Sequence, residues 1–450
     1  MKRIKQALVV AIGAVALSSC IKVNFNDGYS STNNTDTAST VLEGTIDKSR
    51  TLTKGKYTLK GYVYVNNGAT LTIEAGSVIV SDVTEKGALI VERGSKLIAD
   101  GKADQPIIFT SGKAAGSRAQ GDWGGIILLG KAPTNRPTSP APIIEGGVNR
   151  PYGGTDANDN SGILRYVRIE FSGIAAEPGS EINGLTCGGV GAGTILENIQ
   201  VSYGADDAYE FFGGTVNAKN LVAFATFDDD YDFDFGFTGK IQYAVSLRDK
   251  PADTDQANGI ECDNDGTGTT ATPYTKPQLS NLTLIGPYDT TGSASTHGFS
   301  NRWRRSTRFI LRNSLLIGHR KAGFSLESAN SATDYKNGES QFKNNIVAVY
   351  AKPYVASDAG AQGVITDAEI KTKAESEGCL TLATREDVQL TDPFNLNSPN
   401  FLPKTGSPAL SGSDFTGMDS YFSTTTYRGA FGTTNWMSGW SSFTPKTNVY

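Results

Sequence analysis

Two acidic-aromatic phrases stand 22 residues apart near the middle of this 450-residue chain. Residues 204–214 read GADDAYEFFGG, and residues 226–237 read TFDDDYDFDFGF. Laid over each other, Asp206 falls on Asp228, Tyr209 on Tyr231, Glu210 on Asp232 and Phe211 on Phe233. A fixed step of this size is the signature of consecutive solenoid coils, which bury a core only by stacking on one another. Stacking would set carboxylate over carboxylate and ring over ring. The step therefore predicts a fold and, with it, a concentration of like charge.

Shorter echoes extend the repeat. Residues 68–79 (GATLTIEAGSVI) are answered by 88–98 (ALIVERGSKLI), with Ile73-Glu74 on Val91-Glu92 and Gly76-Ser77 on Gly94-Ser95, 18 residues on. A second phrase begins at Tyr166 and returns at Asn198, Asn220, Asn281, Asn313 and Asn344, each time followed by apolar residues. The long gap after Asn220 hides a further copy, placed at Gln242, 22 residues beyond it. A polar residue before each strand suits a tight turn, and stacked asparagines can bond one another.

Short alternating runs bounded by Gly, Asn, Asp and Ser predict an all-β chain. The periods fit a single right-handed parallel β-helix of about a dozen coils, each rising ~4.8 Å. Unequal steps place long loops at residues 112–118, 132–160, 249–278, 288–300 and 350–387. In the last, Thr366 and Glu369 match a capping box, which predicts a helix over residues 367–377 closed by Gly378. Tyr427, Phe431, Trp436, Trp440 and Phe443 make the tail aromatic. An open solenoid end exposes core and strand edges, so residues 411–450 read as a C-terminal aromatic cap on a helix spanning 42–410.

The first 19 residues read as a processing signal. A basic start precedes an apolar run over residues 7–17, too short to span a bilayer, and Leu17-Ser18-Ser19-Cys20 follows. That ending is similar to a bacterial lipoprotein signal, which makes Cys20 the lipidation site and residues 20–41, rich in Ser, Thr and Asn, a flexible tether. Loss of the signal would move the formal charge from −5 to −8, because it carries three bases and no acid. No basic face remains for a nucleic-acid partner. Cys187, Cys262 and Cys379 stay in the mature chain; either a Cys187–Cys262 disulfide or buried free thiols fit them.

Several phrases together resemble a family of Bacteroidetes β-helix lipoproteins often found beside TonB-dependent receptors. They are Gly121-Asp122-Trp123-Gly124-Gly125-Ile126, residues 164–171 (LRYVRIEF), Gly204-Ala205-Asp206-Asp207 with residues 210–214, Gly259-Ile260-Glu261 with Asp263-Asn264-Asp265, and Arg428-Gly429-Ala430-Phe431-Gly432. The resemblance implies the β-helix, an outer-membrane location at the cell surface or periplasmic face, and a receptor partner. It implies no activity.

Three kinds of chemistry fit the acidic phrases. Asp206, Asp207, Glu210, Asp228, Asp229, Asp230, Asp232 and Asp234 form one hard-oxygen cluster suited to calcium, with Glu261, Asp263 and Asp265 as a second. Strand alternation predicts Asp230, Asp232 and Asp234 on one face and Tyr231, Phe233 and Phe235 on the other. Hydrolysis or lyase chemistry is the second possibility: Asp206-Asp207 and His297-Gly298 resemble elements of polygalacturonases, and Arg302, Arg304 and Arg305 could serve a lyase. About 90 residues separate the pair from the histidine, too far for neighbouring coils. The third is ligand binding, glycan above all, by Arg302, Trp303, Arg304 and Arg305 with the acids. The residues favour a non-catalytic, lipid-anchored envelope protein that binds a ligand or assists a receptor, over a pectin-type enzyme or a purely structural surface protein.

Overall fold

A computed structural model describes residues 39–177, 180–253 and 256–450. Cys20 and most of the tether lie outside the described residues. Among the described residues, twenty-six strands form one sheet whose pairings are parallel throughout, and the sheet winds back on itself as a parallel β-helix. None of the described helices is long and apolar enough to cross a membrane.

Each strand pairs with its counterpart one coil on, so equivalent positions stack in columns. One column runs Leu164, Leu196, Ala218, Ile241, Leu279, Leu311, Phe342, all buried. Another holds the aromatic repeat: Tyr209 stacks on Tyr231 at 5.3 Å and Phe211 on Phe233 at 5.3 Å. Burying a large apolar side chain contributes roughly 1.5–3 kcal/mol, so these columns are the main source of stability.

The asparagine phrase marks a bend that recurs from coil to coil between Tyr166 and Asn344. Asn198, Asn220, Asn281, Asn313 and Asn344 have φ between 54° and 60°, in the left-handed region where asparagine is the best tolerated residue after glycine. Tyr166 and Tyr243 hold the same place. The hidden copy is thus one residue later than the sequence suggests: Lys219 pairs with Gln242, and Tyr243 takes the bend. Gln242 donates to Asn281 Oδ1 at 3.0 Å, but most of the column's amides turn to another partner.

That partner is the C-terminal segment, which runs back along the side of the stack. Asn344 bonds the carbonyl of Gly412, Asn313 that of Asp414, and Asn281 those of Tyr427 and Gly429. Further back, Gln242 bonds Ser423, Gln200 bonds Ser442, and Arg118 bonds Pro445. Phe431, Met437 and Trp440 cover a second apolar cluster that includes Phe224, Leu247 and Ile317. The aromatic tail therefore shields a lateral face. The last coil is covered instead by α2 (Ala359–Gln362) and α3 (Asp367–Ser376), which follow α1 (Ala329–Asn337). Thr366 and Glu369 form the expected capping box, and Ile370 and Ala374 of α3 join the main core.

The register also decides the cysteines. Cys187, Phe211, Phe233 and Cys262 are successive register partners, so three rungs separate the two sulfurs, about 14 Å at the usual strand spacing. A disulfide needs Cα atoms within ~7 Å, and all three described cysteines are buried free thiols.

Candidate functional site

On the outer side of the same strands the register builds a polar column. Thr186, Glu210, Asp232, Glu261 and Arg302 are successive partners, so three carboxylates stack directly above one another. Beside it the turns entering these strands form a ladder of side chain to backbone bonds. Asp207 Oδ1 accepts from the Asp229 amide at 2.8 Å, Asp229 Oδ1 from the Asn258 amide, and Asn258 Oδ1 from the Phe299 amide at 3.0 Å. Each turn thereby fixes the next, and Asp206, Asp207, Asp228 and Asp229 project at rung spacing.

Column and ladder line a cleft of about 480 Å³, to which Glu145 and Glu181 also contribute. The Asn183 amide lies against both Glu145 Oε1, at 3.3 Å, and Glu210 Oε2. Three groups of carboxylates place ligand atoms within 4.8 Å of one another: Asp206, Asp207 and Asp228; Asp207, Glu210 and Asp232; Asp229, Asp232 and Glu261. Asp207 and Asp232 each belong to two groups. One oxygen of Asp232 is buried with no hydrogen-bond partner among the described residues.

Charge is distributed unevenly along the cleft. At one end Glu261 is bound by Arg302 at 2.8 Å and by Arg304, while Asp263 is held by Arg304 at 2.8 Å and Arg305 at 2.7 Å. Arg302 also grips Glu327 with both arms, at 2.7 and 3.0 Å. Towards the other end, Asp206, Asp207, Glu210, Asp229 and Asp232 form no ion pair among the described residues. Burial, and then neighbouring carboxylates, hold all five well above the ordinary carboxylate pKa. Glu145 is raised for the same first reason. Such a set keeps its charge only if a cation joins it, and otherwise takes up protons. Oxygen-only donors in overlapping groups suit a hard cation such as calcium.

Not every acid of the two phrases reaches the cleft. Asp206, Asp207, Glu210, Asp228, Asp229, Asp232 and Glu261 line it, as do Arg302, Arg304 and Arg305. Asp230 does not: it precedes the strand Tyr231–Asp234, where alternation has not begun, and turns inward to Arg248 at 2.9 Å. Asp234 lies beyond the cleft lining and accepts the Phe235 amide at 2.6 Å. Asp263 is taken up by its arginines. Asp265 closes its own turn; burial opposes its ionisation, but bonds from Thr269 and Thr267 outweigh this and bring its pKa to about 2. Trp303 is a core residue, fully buried and stacked on Phe309 at 4.1 Å, because strand alternation turns it away from Arg302 and Arg304.

His297 also stays out of the lining. It is buried against Arg248, and burial followed by that positive charge pushes its pKa down to about 4. Sequence reasoning missed Glu145, Glu181, Asn183 and Gln256. Glu145 and Gln256 come from irregular loops with no repeat to mark them, Glu181 from the short strand Ser180–Glu181 outside the large sheet, and Asn183 from the turn position equivalent to Asp207, where the repeat carries no acid to flag it.

A family model described as a pectate-lyase-like β-helix domain matches residues 44–387. No curated protein matches the chain. A crystal structure of pectate lyase Pel9A is similar with a TM-score of 0.35 and 12% identity, over 88% of this chain and 86% of that one. Columns of stacked positions, turns of unequal length and the matched span agree: the chain belongs to the pectate-lyase-like β-helix domain family.

Proposed function

We propose that this protein is a non-catalytic, lipid-anchored envelope protein that binds a glycan in its acidic cleft with the help of calcium. The observation that carries the reading is the carboxylate column beside the aspartate ladder, whose overlapping groups can share hard cations. Cations held there would present open coordination positions to sugar hydroxyls or carboxylates, which the bare cleft would repel. Membership of the family is consistent with a carbohydrate-related protein. The arginines at the far end are engaged by Glu261, Asp263 and Glu327, so they order that end of the cleft and are not a free base.

In this reading Cys20 carries the lipid, residues 20–41 hold the helix off an outer membrane, and a TonB-dependent receptor is the protein partner. Replacement of Cys20 by Ser should move the protein from the membrane to the soluble fraction. Co-purification with the intact lipoprotein tests the receptor.

A second reading, a carbohydrate-active enzyme, draws on Glu145 and Glu210. Their carboxyls meet at the Asn183 amide, and a carboxyl held protonated can act as a general acid. One assay separates the two readings: a glycan panel scored for binding and for reducing-end or unsaturated product, with calcium and with chelator. Calcium-dependent binding without product is expected. Product formation that Glu210→Gln abolishes in a folded protein would overturn the non-catalytic reading.

A further inference from the structure

We infer that Arg248 is the positioning residue of the acidic cleft: one buried guanidinium fixes the two consecutive turns that present its central acids. The inference rests on the cation-binding reading of that cleft.

Arg248 follows the strand Lys240–Leu247 and is fully buried. Its Nη1 donates to the carbonyl of Asn258 at 2.7 Å and pairs with Asp230 Oδ1 at 2.9 Å. Its Nη2 donates to the carbonyls of Asp228 at 2.6 Å and Phe227 at 3.4 Å. Its Nε faces His297 Nδ1 at 3.3 Å, so that nitrogen accepts, and His297 Nε2 then carries the proton towards the Lys250 carbonyl at 3.0 Å. All three guanidinium nitrogens are thus committed to one locus.

The locus is the inner side of the cleft wall. Residues 227–230 make one turn and Asn258 belongs to the next. The two are already tied by the Asn258 amide on Asp229 Oδ1 and by the Asp230 amide on the Asn258 carbonyl, at 3.0 Å. Asn258 also reaches Glu261 Oε2 at 3.3 Å. These turns carry Asp228 and Asp229 into the cleft while several carboxylates crowd around them. Mutual repulsion pushes the turns apart, and a planar cation with donors in a fixed fork resists it from behind. The contacts described for Arg248 are backbone carbonyls, Asp230 and His297, so it positions the cleft acids through the backbone, and its charge also favours the ionised form of Asp229.

Removing the arginine alone would strand Asp230 as a buried charge, so the test removes both charges in Arg248→Met/Asp230→Asn. Arg248→Lys is the second variant, because it keeps the charge and loses the fork. Hydrogen exchange in chelator reads the turns directly. Amides of residues 226–231 and 256–261 should exchange about 10- to 100-fold faster, with those of Ile195–Ser202 unchanged. Terbium luminescence of the same proteins should show affinity lower by a similar factor. Unchanged exchange in either turn overturns the inference, as does faster exchange with wild-type terbium affinity. Absence of terbium binding by the wild-type chain would instead sink the cation reading, and exchange would then decide the role of Arg248 by itself.

Discussion

Neutralising Asp232 should stabilise the chain when cations are chelated and weaken the response when they are restored. Asp232 sits in register between Glu210 and Glu261. At a rung spacing of ~4.8 Å and an effective dielectric of ~20, two like unit charges repel by about 3.5 kcal/mol. Glu261 is offset by Arg302 and Arg304, so the repulsion from Glu210 counts most. Partial proton uptake relieves some of it, which leaves an expected gain of about 1–3 kcal/mol for Asp232→Asn in chelator near pH 8. With calcium much of that gain is cancelled. Asp232 belongs to two of the three carboxylate groups, so its loss should weaken binding at least about tenfold. A calcium-induced gain of ~2.7 kcal/mol at a hundredfold excess over Kd would then shrink to ~1.4 kcal/mol. Denaturant midpoints of wild type and variant, each in chelator and in excess calcium, read all four states. A variant less stable than wild type in chelator, or one with the full calcium increment, would refute the reasoning.

Stability in chelator should fall as pH rises. Asp207, Asp229 and Asp232 have folded pKa values raised by burial and neighbouring acids, so the folded chain binds more protons than the unfolded one. Their contribution is full below the ordinary value of about 4 and is lost as pH climbs through the raised values. Midpoints near pH 5 and pH 8 should therefore differ in that direction, and excess calcium should flatten the slope; a midpoint rising with pH in chelator would contradict it. Asn281→Ala should cost about 2–4 kcal/mol, from left-handed strain plus lost bonds to the tail, and Asn281→Gly should recover only the strain. Equal costs for the two would place the whole effect in the tail contacts. Trp303→Ala should cost about 3–5 kcal/mol in thermal or denaturant unfolding and leave calcium affinity unchanged.

The columns could be read from the chain because parallel pairing preserves register. Positions such as Tyr209 and Tyr231, or Glu210 and Asp232, recur at the coil length and become direct partners. Variable loops hid the rest. Glu145 reaches the cleft from a proline-rich loop, and its partners Asn183 and Glu210 lie 38 and 65 residues away with no shared pattern. Alternation extended one residue before the strand Tyr231–Asp234 predicts Asp230 on the outer face. Its inward turn depends on Arg248, whose fate no local spacing reveals. Trp303 shows the opposite error. The alternation of Arg302, Trp303 and Arg304 already turned the ring inward, and reading the three as one surface patch set that aside. The tail's aromatic content announced that it covers apolar surface. Its route along the side of the stack depends on amides of the bend column, which serve equally well as partners for each other.

Calcium titration of the chelator-treated, full-length chain, followed by calorimetry, tests the central claim most directly. The account expects saturable binding at the cleft, a higher unfolding transition in the loaded protein, and loss of both in Asp207→Asn/Asp232→Asn. No binding heat together with an unchanged transition would contradict it.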